Sequence, residues 1–286
     1  MQKKLFLGLI RSRRGIIGVS ILGFLLSLTV IAILVVPFDS YRLWNDPDYW
    51  INNPKTAAPF WTSYFGSKEF EHVSLDQDDA KTTSEVSEGI RVSNFIFGVN
   101  IQADDFPDDF MFLHSVKYGE VPPVLQIDIT RPDNITFTVY YSSLPTTTNL
   151  NNTFTDRIFS TNNKIKESLS QYQSFFSFPI SGFEPPVLLF SSTNKPEILH
   201  GTYQISEKFF QFDNSSSIEN VGVILGGKVF GIMGTDDLRR DLFIGIIWGI
   251  PIALFIGLTV SIFSITIGLI YGVVSGYRGK KTDEGM

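Results

Sequence analysis

The chain lacks cysteine entirely over its 286 residues, so no disulfide supports it and any water-exposed domain must rely on its own core. Histidine is nearly as scarce. His72, His114 and His200 lie far apart without a paired metal motif, and each reads as a surface or satisfied core residue. No Gly-x-Ser-x-Gly elbow occurs, and no Gly-x-x-x-x-Gly-Lys-Ser/Thr phosphate loop, so nothing marks the chain as a hydrolase or an ATPase. The acid-rich stretches "ADDFPDD" and "LDQDDA" lack the ligand spacing and glycine of a calcium loop and read as solvated turns. No catalytic residue, metal or cofactor is expected, and nothing suggests nucleic-acid binding.

Charge is the other shortage, and it is confined to two places. Gly15 to Val36, "GIIGVSILGFLLSLTVIAILVV", runs 22 residues without a charge. As a helix it would be about 33 Å long, enough for a hydrocarbon core of about 30 Å. Leu242 to Tyr277 is a second charge-free run, of 36 residues, too long for one upright span. Neither holds an ionisable residue, which argues against a proton relay. The first run exceeds a signal-peptide core and ends in "ILVVPFDS" without a small-x-small cleavage site, so it reads as an uncleaved anchor.

What is there is a basic end, an acidic centre and a basic end. Residues 1–14 carry five basic groups and no acid, while the rest up to Tyr277 has 15 basic and 27 acidic residues. The positive-inside rule then puts both termini in the cytoplasm and residues 37–241 outside, in a multi-pass protein of the cell membrane. "PFDSYRLWNDPDYWINNPKTAAPFW" has too many prolines for a long helix. Its Trp44, Trp50 and Trp61 suit either a membrane interface or an extended segment wrapping the domain core.

From about residue 88 the pattern is that of strands: "GIRVSNFIFGVNIQA", "FMFLHSVKYG", "VLQIDITRPDNITFTVYYSS", "PPVLLFSST", "GTYQISEKFFQFD" and "NVGVILGGKVFGIMG". "RPDN" reads as a turn and "LGGK" as a hairpin turn. Only "TFTDRIFSTNNKIKESLSQYQSFF" looks helical, with Ile165, Leu169 and Tyr172 on one face. The expectation is an antiparallel sandwich with one helix. Sequons at Asn134, Asn151 and Asn214 are candidate glycosylation sites and agree with an external location.

The second run is preceded by "GTDDLRRD", Gly234 to Asp241, which has the layout of a helix start. Thr235 would be the N-cap, with Asp236 and Asp237 in the first turn at the positive end of the dipole. Arg240 is in reach of Asp236 at i, i+4 and of Asp237 at i, i+3. The spacing predicts a helix over 236–250 at the outer interface and a kink at Pro251, with a span over 251–277. Gly268, Gly272 and Gly276 recur every four residues and suit a helix-packing face, with a weaker version at Gly23 and Ser27. The expected order is a cytoplasmic start (1–14), a span (15–36), a linker (37–87), a β domain (88–233), an interfacial helix (234–250), a span (251–277) and a cytoplasmic tail (278–286).

Together "GTDDLRRDLFIGIIWGIPIALFIGLTVSIFSITIGLIYGVVSGYRG" resembles the Gly-Thr-Asp-x-x-Gly-Arg-Asp segment of permeases of dipeptide/oligopeptide-type ABC importers, most nearly the second, C-type subunit. "RSRRG", the first span and "WNDPDYWINNPKTAAPFW" resemble that family's N-terminal region, so the likeness covers about 10–62 and 230–284. Gly234, Thr235, Asp236, Arg240 and Asp241 match the motif, whereas Arg239 stands where the family has glycine, so that either the local helix packing differs there or the long side chain snorkels to the outer surface. The resemblance implies a membrane α-helical fold, the start of a type I ABC importer permease domain. The β-rich middle would be an inserted extracellular domain of a kind seen in chiefly archaeal-looking members. It implies ATP-driven alternating access, with peptides or a related solute such as oligosaccharides, and three partners: a second permease subunit, ABC ATPase subunits and an extracellular solute-binding protein, while the spans themselves call for membrane lipid. "GYRGKKTDEGM" reaches Asp283-Glu284 where the family continues into further spans, which implies truncation or a second chain completing the permease. The rival expectation is a two-span protein displaying a β-sandwich for adhesion or sensing.

Overall fold

A computed structural model describes residues 12–66, 68–146, 153–213 and 215–278. The chain divides into two compact units, one made of 1–46 with 242–286 and the other of 47–241. In the first, helix α1 (Arg13–Val35) opens with Ser12, whose hydroxyl accepts from the Gly15 N–H at 3.0 Å. It stops before Pro37, which cannot continue the ladder. A short helix α2 (Phe38–Arg42) follows. Helix α6 (Leu242–Arg278) is continuous for 37 residues, about 55 Å. Both α1 and α6 are long and apolar enough to cross a membrane. Pro251 lies inside α6 and does not divide it, contrary to the expected split into an interfacial helix and a separate span. One missing N–H removes a single ladder bond, too little to end so long an apolar helix.

The second unit begins with helix α3 (Pro47–Trp50), and its described residues contain nine strands in two antiparallel sheets. One sheet has the order β1-β9-β4-β7, formed by Val73–Asp76, Ser217–Gly226, Asp109–Lys117 and Thr153–Phe159. The other has the order β2-β3-β8-β5-β6, formed by Lys81–Ser87, Ile90–Ile101, Gly201–Gln211, Val124–Thr130 and Thr136–Ser143. The alternation in β3 and β8 places Phe95, Phe97, Val99, Tyr203, Ile205 and Phe209 inward, where they meet Phe112, Val116 and Val223 of the facing sheet. Among the described residues this layer forms one core cluster. The expected antiparallel sandwich is therefore present.

Four expectations need correction. The supposed linker 37–87 contains β1 and β2, pairing β9 and β3. "PPVLLF" is helix α5 (Pro185–Phe190), not a strand, because Pro185 and Pro186 at its first positions have φ preset for a helix start. "TFTDRIF" is strand β7 on β4, and only helix α4 (Asn163–Ser170) follows, capped by Asn162. Ile165 and Leu169 are buried as the spacing predicts, while Tyr172 lies past the helix and its hydroxyl accepts from the Thr138 N–H at 2.9 Å. "LGGK" is not a hairpin turn. Gly227 lets the chain pass the His72 backbone, where a Cβ would lie 2.2 Å from the nitrogen, and Val229 then bridges in parallel with Ala58 and Glu71.

Candidate functional site

The stretch "GTDDLRRD" is a closed loop belonging wholly to the second unit, and the helix begins only after it, at Leu242. The expected helix over 236–250 is thus corrected for its first six residues. Asp236 takes over the local hydrogen bonding itself. One oxygen accepts from the Leu238 and Arg240 N–H groups, each at 2.9 Å. The other accepts from Arg240 Nε at 2.7 Å and pairs with its terminal nitrogen at 2.7 Å. A carboxylate that satisfies nearby backbone donors competes with helix formation, which is why the acidic turn stays a turn. Burial raises the pKa of Asp236, but the bonds from Arg240 and the backbone outweigh that and hold it below the usual carboxylate value. The i, i+4 pair expected from the sequence therefore exists, outside any helix. Asp237 is exposed, and no pair with Arg240 forms.

Thr235 is not an N-cap. Its hydroxyl donates to the Pro54 carbonyl at 2.8 Å and accepts from the Ala57 N–H at 2.9 Å, and it is buried. The backbone adds Thr235 N–H to Ala57 O at 3.0 Å and Thr56 N–H to Asp236 O at 3.0 Å. Gly234 has φ +73°, and a Cβ there would lie 2.1 Å from the Ala57 carbonyl oxygen. Both facts demand glycine. Thr235 also bridges Asp241, closing the loop at its neck.

Arg239 explains the position where the resembling motif has glycine. Its φ is +64°, a region that costs a non-glycine residue roughly 1–2 kcal/mol. The side chain does not snorkel outward. It donates to the Asn53 carbonyl at 2.6 Å and to Asp109 Oδ2 at 2.8 Å, while Asn53 returns a bond to the Arg239 carbonyl at 3.1 Å. Charge-assisted bonds of this kind contribute on the order of the backbone cost or more. Asn53, Pro54, Thr56 and Asp109 are thus members of the site that motif reading missed. Nearby, burial lowers the pKa of His72 to about 4, with Asp109 opposing and Arg239 adding to the fall.

The remaining candidates fall elsewhere. Among the described residues nothing lies within 4 Å of a Cβ placed on Gly268, Gly272 or Gly276, so none of them packs against that stripe. The same is true of Gly23, whose carbonyl accepts from the Ser27 hydroxyl. Where α6 does have a glycine contact it is Gly245, with a Cβ position 2.5 Å from the Trp44 ring. Asn134 sits exposed with φ +62° in the turn between β5 and β6, whereas Asn151 and Asn214 lie outside the described residues. The acid-rich stretches are structural. Asp76 and Asp79 form a reciprocal cap, Asp105 pairs with Lys228, and Asp109 pairs with Arg239. Among the described residues no group of three or more His, Cys, Asp or Glu could hold a metal ion. The geometry is that of a loop closed by hydrogen bonds onto residues 53–57 and Asp109.

No protein-family model matches the chain. Short likenesses to curated proteins do occur. The chain is similar to the oligopeptide transport system permease protein OppC of Bacillus subtilis (strain 168), 47% identical over 51 residues, which is 18% of this chain and 17% of that one. It is similar to the dipeptide transport system permease protein DppC of the same organism, 43% identical over 51 residues, 18% of this chain and 16% of the other. OppC of Haemophilus influenzae is 44% identical over 54 residues, 19% and 17% of the two chains. The chain carries a peptide-permease-like segment. The match spans about a sixth of each relative's length. Among solved structures the chain is similar to the C-terminal carbohydrate-binding module of a marine laminarinase from Zobellia galactanivorans, at 10% identity and TM-score 0.27 over 54% of this chain and 98% of that one. A carbohydrate-binding module of a Cellvibrio mixtus lichenase gives 8% identity and TM-score 0.25 over 53% and 95%.

Proposed function

We propose that the chain is a permease-type component, of the second (C-type) kind, in an ABC importer of di- or oligopeptides or a related solute such as an oligosaccharide. What supports this is the short, high-identity likeness to OppC and DppC proteins, in a chain that also has two helices long enough to cross a membrane. On this reading α1 and α6 cross the cell membrane with both termini cytoplasmic, and residues 37–241 lie outside. A second permease subunit, ATPase subunits and an external solute-binding protein complete the machine, and ATP hydrolysis belongs to the ATPases. Gly268, Gly272 and Gly276 would face a helix of another subunit, since small residues let helices in lipid approach closely.

The loop 234–241 has a specific task in such a machine. Alternating access moves helices while the external unit keeps its fold. The bonds from Thr235, Asp236 and Arg239 to residues 53–57 and Asp109 keep the last residue before α6 rigid within the second unit. The test is uptake of a labelled peptide and a labelled oligosaccharide into vesicles containing this chain, the partner subunits from the same gene neighbourhood and internal ATP. ATP-dependent uptake that is lost without this chain is the expected result. Equal uptake with and without it would sink the proposal.

A further inference from the structure

A cavity of about 540 Å³ lies wholly within the first unit, between α2 with the residues just after it and the opening turns of α6. That volume is in the range of small-molecule sites. Tyr41, Arg42 and Trp44 line one side, and Leu242, Trp248 and Ile252 the other. The walls are mostly aromatic and aliphatic, and Arg42 is the one charged side chain among the described residues that line them.

Two donors at this cavity lack acceptors. Among the described residues Arg42 has no carboxylate in ion-pair range and no hydrogen-bond partner for its guanidinium. The Trp248 indole N–H is buried and has no acceptor either. Its ring is held in place by Phe38 and Tyr41, with centroids 5.9 and 5.4 Å away. A buried donor left unmatched is costly, so an occupant that brings an oxygen to it is favoured.

Apolar walls with one cation and one N–H donor fit an amphipathic anion. Position within the unit selects which. Helix α1 ends at Val35, α2 starts at Phe38 and α6 starts at Leu242, so the cavity lies at the shared end of the two long helices. At about 55 Å, α6 exceeds a hydrocarbon core of about 30 Å by some 25 Å, which puts its opening turns at the boundary where lipid phosphates lie. A guanidinium grips a phosphate through paired N–H groups. A helix of another subunit would need a bare notch to seat in. The notch at Gly245 is already filled by Trp44, whose ring is 2.5 Å from a Cβ placed there. Gly249, with no described residue within 4 Å of its Cβ position, leaves the floor open.

We propose that this cavity seats an anionic phospholipid, with its phosphate on Arg42, an oxygen of its head or glycerol on the Trp248 N–H, and an acyl chain along α6. The proposal rests on the membrane reading above and adds a specific lipid to it.

The test places the full chain in phosphatidylcholine nanodiscs. These contain a trace of phosphatidylglycerol, or of phosphatidylcholine, carrying a diazirine high in one acyl chain. After illumination the crosslinked residues are mapped by mass spectrometry. The expected result is labelling of 41–45 and 242–252 several-fold stronger from the phosphatidylglycerol probe. Arg42→Gln, at an exposed and unpaired side chain, brings that labelling down to the level of the phosphatidylcholine probe and leaves labelling of 255–265 unchanged. Equal labelling by both probes, or a preference that survives Arg42→Gln, overturns the site while label on 255–265 keeps the span. Label on 255–265 with none on 242–252 also overturns the site, since protein then covers it. No label on 255–265 from either probe overturns both the site and the membrane reading.

Discussion

Phe97 and Phe263 are the same residue in opposite circumstances. Phe97 is 0% exposed between two sheets, and Phe263 is 64% exposed on α6. The contrast extends to the units around them. In the sandwich each inward phenylalanine, tyrosine or isoleucine finds its apolar surroundings within the chain, at roughly 1.5–3 kcal/mol per large side chain. Along α1 and α6 nearly every large apolar side chain points away from the chain, so the apolar surroundings come from outside it. One unit is specified by its own packing and the other by the medium around it. Substitutions that change volume or backbone strain are therefore felt in the first and tolerated in the second.

Glycine tests that contrast most sharply. Gly234→Val combines a left-handed φ with a Cβ pressed on the Ala57 carbonyl, and the loss expected is about 4 kcal/mol or failure to fold. Protease resistance of the sandwich in the detergent-solubilised chain checks it. Acid provides the next largest effect. Burial lowers the pKa of His114 from 6.5 to about 4, with Asp156 opposing, and neither ring nitrogen has a hydrogen-bond partner. The neutral form belongs to the fold, so stability is complete above pH 6.5 and falls toward pH 4, by about 3 kcal/mol for this residue. Melting temperature of the sheet signal against pH measures it, and His114→Phe removes part of the slope while His72 retains the rest. Glu207 gives the opposite sign. Complete burial without a partner raises its pKa, so it opposes stability as pH rises above 4.5 through the folded value, and Glu207→Gln raises the melting temperature at neutral pH.

Asp236→Ala removes two backbone and two arginine bonds at once. The expected cost is about 2 kcal/mol, read as faster cleavage in the 234–241 loop by limited proteolysis. The smallest effect belongs to the other unit. Gly268→Ala meets nothing within 4 Å and changes the stability of the isolated chain by less than about 0.5 kcal/mol. A large loss there would break the comparison.

The same contrast explains what could be read in advance. The two long helices were legible because absence of charge over a span length is a property of the sequence alone. Strands β3 and β8 were legible because alternation survives wherever one face is dry. Strand β2, "KTTSEVS", is exposed along its whole length and carries no such signal, and only pairing with β3 makes it a strand. The loop 234–241 shows the limit most clearly. Its residue types fit a helix start, but the Asp236 carboxylate bonds to Leu238 and Arg240 and the long-range bonds to Asn53, Pro54, Thr56 and Ala57 hold it as a loop. The positive φ of Arg239 could not be foreseen either, because Asp109, which anchors the side chain, lies 130 residues away in sequence.

Hydrogen bonding between residues 54–57 and 235–236 has one more consequence. The place where the chain joins the sandwich and the place where it departs are backbone neighbours, about 5 Å apart. A module whose two ends meet can be gained, exchanged or dropped without displacing the helices it interrupts. With its ends so placed, the sandwich adds only a short connection at the point where the chain enters and leaves it, whatever its own size.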